Sequence, residues 1–203
     1  MANRREFLQA GLTALAVPLA ARAALSPGLS LLAGQPGVTP LYKVIYDERF
    51  AACRAFASEA QKMGATVHAI RADVTNLWFD DLYAQWKQGP AAIAGLTAHG
   101  AIFCLERLAW DQQRMRVVFR GEHTYAAGGR LEHKLTAPPD VLRQASGLDA
   151  SGPDWASRIA GVVTRFPAER VRGENLHIAT EFAKQADDPE HLVSWVIAPT
   201  RSA

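Results

Sequence analysis

Cysteine is scarce in this chain: Cys53 and Cys104 are the only two among 203 residues. Two thiols cannot complete a structural zinc site or an iron–sulfur cluster by themselves. No Cys-x-x-Cys-His sequence is present to attach a haem. Gly-x-Ser-x-Gly, the turn that presents a nucleophilic serine at the top of an α/β-hydrolase sheet, is absent. The phosphate loop with its Lys-Ser/Thr pair and the glycine-rich dinucleotide fingerprint are absent too. The first predicted strand runs into Asp47-Glu48-Arg49 instead of a glycine-rich turn. The sequence therefore argues against a nicotinamide or flavin site of the Rossmann type, and no cofactor of its own is expected. Long apolar runs are also lacking. The longest, Gly11 to Ala21, is too short for a stable transmembrane helix and contains Pro18.

That run is informative in its context. Arg4 and Arg5 precede it, Phe7-Leu8 follows the pair, and Ala21-Arg22-Ala23 fits a small-x-small cleavage site. The stretch Asn3-Arg4-Arg5-Glu6-Phe7-Leu8-Gln9 resembles the twin-arginine export signal. No cysteine stands near the cleavage site to take a lipid anchor. The resemblance implies a periplasmic protein that crosses the membrane already folded. It also implies either a cofactor inserted beforehand or travel with a partner that carries one.

Cleavage after Ala23 would leave 180 of the 203 residues, enough for one domain with a proper core. It would also remove Arg4, Arg5, Arg22 and Glu6, taking 22 basic and 20 acidic residues to 19 and 19. A neutral mature chain gives no reason to expect nucleic acid or an anionic membrane surface as a partner, and no stable membrane span is expected after signal removal. The organisation expected is thus a signal peptide at 1–23, a Pro/Gly/Ser-rich linker at 24–40, and one α/β domain at 41–199.

Within that domain, "LYKVIYD", "ATVHAIRAD", "AAIAGLT" and "MRVVFRGEHTY" read as strands. Between them lie helical stripes: Phe50 to Met63, then Trp78, Leu82, Tyr83 and Trp86, then Ala101, Cys104, Leu105 and Leu108. Alternating strands and helices over 41–125 predict βαβ units, hence a three-layer fold with a mostly parallel sheet. A smaller α+β part follows. "AAGGR" predicts a hairpin turn into "LEHKLTA". "PPDVLRQASG" and "GPDWASRIAGVVTRF" predict helices, the first with proline in its opening turn. "ENLHIATEFA" suits either a strand or a short helix. If it is a strand, it and "HLVSWVIAP" are expected to form an antiparallel hairpin. Both cysteines fall on apolar helical faces, where Cys packs as a small hydrophobe. An oxidising compartment would also permit a bridge.

In an open parallel sheet, ligands bind beyond the carboxyl ends of the strands. That places the candidate residues at Asp47, Asp73, Thr97, His99, Glu122 and His123. Acidic and imidazole groups together can serve as general acid and base or hold a divalent metal. Asp and Thr at strand ends also cap the helices that follow. "GLTAHGA" combines a close-approach glycine with a helix start, a weak anion-site pattern. In "FRGEHTY", alternation puts Arg120, Glu122 and Thr124 on one face and His123 with Tyr125 on the other. His133 on the next strand could meet His123 across the hairpin, as a metal-binding pair or as exposed polar residues. Five tryptophans and the broad stripe of "NLWFDDLYAQWKQG" provide either core packing or a partner surface.

Three function classes follow. The first is a non-catalytic exported protein that binds a small-molecule ligand or serves as accessory subunit to a larger exported oxidoreductase. The second is a small enzyme with its site at the strand ends. The third is a structural envelope domain.

Overall fold

The computed structural model describes residues 37–111, 115–169, 171–182, 184 and 189–200. The expected signal peptide, and the linker up to residue 36, lie outside the described residues. Along the described residues run β1 (Leu41–Asp47), α1 (Ala51–Lys62), β2 (Val67–Ile70), α2 (Thr75–Leu77), a π-helical turn (Trp78–Leu82) with α3 (Tyr83–Gln88), β3 (Ala92–Thr97), α4 (His99–Asp111), β4 (Met115–Ala126), β5 (Arg130–Ala137), α5 (Pro139–Ala145), α6 (Trp155–Thr164), β6 (Glu174–Glu181) and β7 (His191–Pro199). Short 3-10 turns at Ser146–Leu148 and Gly152–Asp154 join α5 to α6.

The strands form one seven-stranded α/β sheet in the order β2-β1-β3-β7-β4-β5-β6. Only β1/β2 and β1/β3 pair in parallel; every pairing from β3 onward is antiparallel. The expected mostly parallel sheet is therefore corrected to a mixed one. The alternation in the sequence still set the strand directions. β4 runs the same way as β1 and β3, because β7 is antiparallel to both of its neighbours. The pattern could not show that a C-terminal strand enters between β3 and β4. The expected hairpin of the last two strands is corrected as well: β6 is an edge strand on β5, two strands away from β7.

Burial explains where these two strands go. β7 is buried along seven consecutive residues, Leu192 to Ala198, as a strand covered on both faces must be. β6 carries Glu174, Asn175, His177 and Glu181, and among the described residues its outer N–H and C=O groups face no further strand. Polar residues suit that edge.

Neighbouring residues of β7, β1 and β3 go to opposite faces and feed two apolar clusters. One contains Val44, Leu96, Leu192 and Val196 with Phe56 of α1, Val141 of α5 and Ile159 of α6. The other contains Ile45, Ile93, Trp195 and Ile197 with Leu77, Leu82 and Trp86 of the α2–α3 segment and Ile102 and Leu105 of α4. Gly95 of β3 lies opposite Trp195. A Cβ there would stand 2.5 Å from the indole and 2.4 Å from the Ile45 carbonyl, so only glycine fits. Gly128 and Gly129 take left-handed conformations (φ of 81° and 76°) and close the β4–β5 hairpin as expected. The packed body starts before β1. Thr39 is buried, donates its N–H to Phe166 O at 2.7 Å and its hydroxyl to Pro167 O at 2.8 Å.

Candidate functional site

The six candidate residues divide into four environments. Asp47 and Asp73 serve their own turns. Asp47 is fully buried at the end of β1, and the Arg49 guanidinium grips it in a fork, Nε to Oδ1 at 2.9 Å and Nη2 to Oδ2 at 2.7 Å. Asp73 is exposed and accepts the Thr75 N–H at 2.8 Å, closing the turn that leads into α2. The Thr75 side-chain and backbone bonds hold its carboxyl below the usual carboxylate range. Thr97 is buried and receives the Trp195 indole N–H at 3.2 Å, which fixes that ring over Gly95.

His99 and Glu122 do come together, through a residue outside the candidate set. His191 opens β7 at the end of the sheet where β3 finishes, and its ring stacks on His99 with centroids 6.2 Å apart. His191 Nε2 also contacts Glu122 Oε2. Glu122 Oε1 accepts Arg120 Nε at 2.5 Å, and Arg120 reaches on to Glu106 of α4 at 3.2 Å. Burial alone would raise the Glu122 carboxyl, but the bonds and charges of Arg120 and His191 outweigh it and leave the carboxyl low. The result is a half-exposed row of alternating charges and rings. Among the described residues, no group of three or more His, Cys, Asp or Glu is arranged to hold a metal ion.

His123 faces the other way. It pairs with His133 across the hairpin, Nδ1 to Nδ1 at 2.7 Å, and both rings are fully buried, not exposed. His123 Nε2 meets Ser194 Oγ at 2.7 Å and His133 Nε2 meets Thr180 Oγ1 at 3.1 Å. The Thr180 hydroxyl donates to the Leu148 carbonyl at 2.6 Å. Trp155 of α6 lies over both rings, at centroid distances of 4.6 and 5.5 Å. A serine, a base and a group orienting that base are the parts of an activated nucleophile. Here, however, Ser194 is fully buried under α6 and gives a substrate no approach. The room Ser194 needs comes from Gly121, where a Cβ would stand 2.4 Å from Oγ. Sequence reasoning found the histidine pair but not Ser194, Thr180, Trp155 or His191. These come from three separate elements, β6, β7 and α6, and only the strand order brings them together.

An apolar groove of about 410 Å³ runs between the α2–α3 segment and α4. Val74, Trp78, Phe79, Phe103, Cys104 and Leu108 line it, with Thr75 and Arg107 at its edges. Phe79 is 68% exposed and Phe103 55%. Trp78 is braced edge-on by Tyr83 at 5.5 Å and Trp86 at 5.9 Å. One turn along α4, Trp110 is 56% exposed, with the guanidiniums of Arg107 and Arg116 over it at 5.7 and 5.4 Å. The π-helical turn is anchored from below. Asp81 receives the Tyr42 hydroxyl at 2.6 Å and pairs with Lys43. Both neighbours reach it because β1 carries an extra residue between its pairings at Leu41 and Lys43. Burial, then the Asp81 bond, push the Tyr42 hydroxyl up to about 12. In the stripe of "NLWFDDLYAQWKQG", Leu77, Leu82 and Trp86 are core, and Phe79 and Tyr83 are exposed.

The two cysteines lie in different settings. Cys53 lies on the buried face of α1, while Cys104 is exposed in the groove, contrary to the inward position expected. α4 turns its Ala101, Ile102, Leu105 and Ala109 inward instead. Among the described residues, no helix is long and apolar enough to cross a membrane. Comparison with protein-family models, curated proteins and solved structures finds no match to this chain.

Proposed function

We propose that this chain is an exported, non-catalytic protein that works by docking, as an accessory subunit of an exported redox complex, and that the groove between the α2–α3 segment and α4 is its contact surface. The observation that carries this reading is the exposure of Phe79, Phe103 and Trp110 along one side of the molecule. Contiguous apolar surface of this kind marks interaction sites, and Trp and Arg are the residues most enriched among binding hot spots. The groove is open, whereas small-molecule sites enclose roughly 70–90% of their ligand. A protein side chain or helix therefore suits it better than a free ligand. The twin-arginine resemblance at residues 3–9 supports the compartment and the folded export that such complexes use.

The test starts from the full chain in its native host. Replacing Arg4 and Arg5 with Lys is expected to retain the precursor in the cytoplasm. The exported wild-type protein should co-purify with a larger oxidoreductase, and the Phe79→Ser/Phe103→Ser variant should not. A partner-free monomer recovered from native periplasm contradicts the reading.

A second reading, a small periplasmic enzyme, draws on one observation: His99 and Glu122 converge on His191 at the sheet end where β3 finishes. Native mass spectrometry separates the two. A bound small molecule or metal that disappears in Glu122→Gln favours the enzyme, and a bare polypeptide mass favours docking.

A further inference from the structure

We propose that Ser194, His123, His133 and Thr180 form a proton-operated latch that fastens residues 146–154 and Trp155 to the sheet while uncharged, and releases them on proton uptake.

The bond directions are fixed from one end. Thr180 uses its only proton on the Leu148 carbonyl, so its oxygen can only accept from His133 Nε2–H. A neutral His133 then has a bare Nδ1, and the proton between the rings belongs to His123 Nδ1. His123 Nε2 is bare in turn and accepts from the Ser194 hydroxyl. The whole chain runs one way, from Ser194 to Leu148.

A proton added at His133 Nδ1 can be accommodated only by moving His123 to its Nε2–H tautomer. Ser194 then changes from donor to acceptor. A second proton sets two N–H groups face to face at the 2.7 Å contact. Among the described residues, no carboxylate hydrogen-bonds either ring. On the neighbouring elements, His177 of β6 lies 3.6 Å from Glu132, and His191 of β7 contacts Glu122. Both histidines add repulsion when charged. α6 and the turn before it carry the exposed Arg158, Asp154 and Asp149, and α5 carries the exposed Asp140–Arg143 pair. The rings lie between the sheet and the lid made by Leu148 and Trp155. The sheet is held by strand ladders, so the lid is the side that yields to water.

Burial holds both rings neutral, His133 down to about 4 and His123 well below its ordinary value. An unfolded histidine titrates at about 6.5. Between about pH 6.5 and 4 the opened form therefore binds more protons than the closed one, and closure weakens as pH falls.

Hydrogen exchange on the purified chain, corrected for intrinsic rates, tests this. From pH 7 to pH 5, amides in 148–160 should lose about ten-fold or more of their protection while β1 and β3 keep theirs. His133→Gln, which leaves only His123 to take up a proton, should clearly reduce that pH dependence. If that variant does not fold, imidazole ¹⁵N spectra of the wild type decide: His123 must be the Nδ1–H tautomer and His133 the Nε2–H tautomer at neutral pH. Protection of 148–160 that is unchanged down to pH 5, or the reverse tautomers, would overturn the latch.

Discussion

At the scale of single residues, a missing side chain matters as much as a present one. Gly121 leaves the space into which Ser194 Oγ turns toward His123, and an added Cβ would also sit 3.2 Å from the His123 ring. Gly121→Ala is expected to cost about 1–3 kcal/mol through overpacking, and Ser194→Ala about 1–3 kcal/mol by leaving His123 Nε2 without a donor. Because the tightest contact of an added Cβ, 2.4 Å, is with the Oγ that Ser194→Ala removes, and Leu135 Cδ2 follows at 2.9 Å, the double variant should cost less than the sum in urea unfolding. Additive costs would show that Gly121 matters for another reason. The histidine pair itself was legible, since hairpin register brings residues 123 and 133 face to face around a two-glycine turn. Their burial was not legible, because Trp155 and Leu148 arrive from a distant part of the chain. Asp47 and Asp73 show the opposite case: their turn duties follow from their positions after strands, and the structure gives them to Arg49 and Thr75.

At the scale of elements, hydrophobic periodicity located the strands and helices of 41–125 and set the strand directions. It did not reveal adjacency, which depends on contacts between residues far apart in sequence. β7 is the clearest example. Its near-continuous apolar run had the composition of a central, doubly covered strand, while the mixed polar run of β6 suited an edge. Comparing the two segments for that difference would have separated them. Trp195 packs over Gly95 where β3 meets β7, and the Ile45 carbonyl stands in the way of any Cβ. Backbone cannot move aside as a side-chain tip can. Gly95→Ala is therefore expected to destabilise by about 3 kcal/mol or more, beyond the cost at Gly121. Equal costs at the two sites would show that the β3 backbone gives way. By contrast, Phe79→Ser removes an exposed ring and should change stability by within about 0.5 kcal/mol. A larger loss would mean that Phe79 is part of the fold and not of a docking surface.

At the scale of the whole molecule, the sheet separates two kinds of chemistry. One face carries the buried chain from Ser194 to Leu148 under α6. The other carries the charged row from His99 to Arg120 and the aromatic groove beside α4. The latch and the groove thus belong to opposite sides, and acid should loosen the first without unmaking the second. The central claim is that the groove holds a protein partner after export. Its most direct test is photo-crosslinking in the native host, with benzoylphenylalanine placed at Phe79, at Phe103 and, as control, at the exposed Arg143 of α5. The account predicts adducts with one exported oxidoreductase from positions 79 and 103 and none from 143. Free monomer at all three positions, or the same adducts from 143, would contradict it.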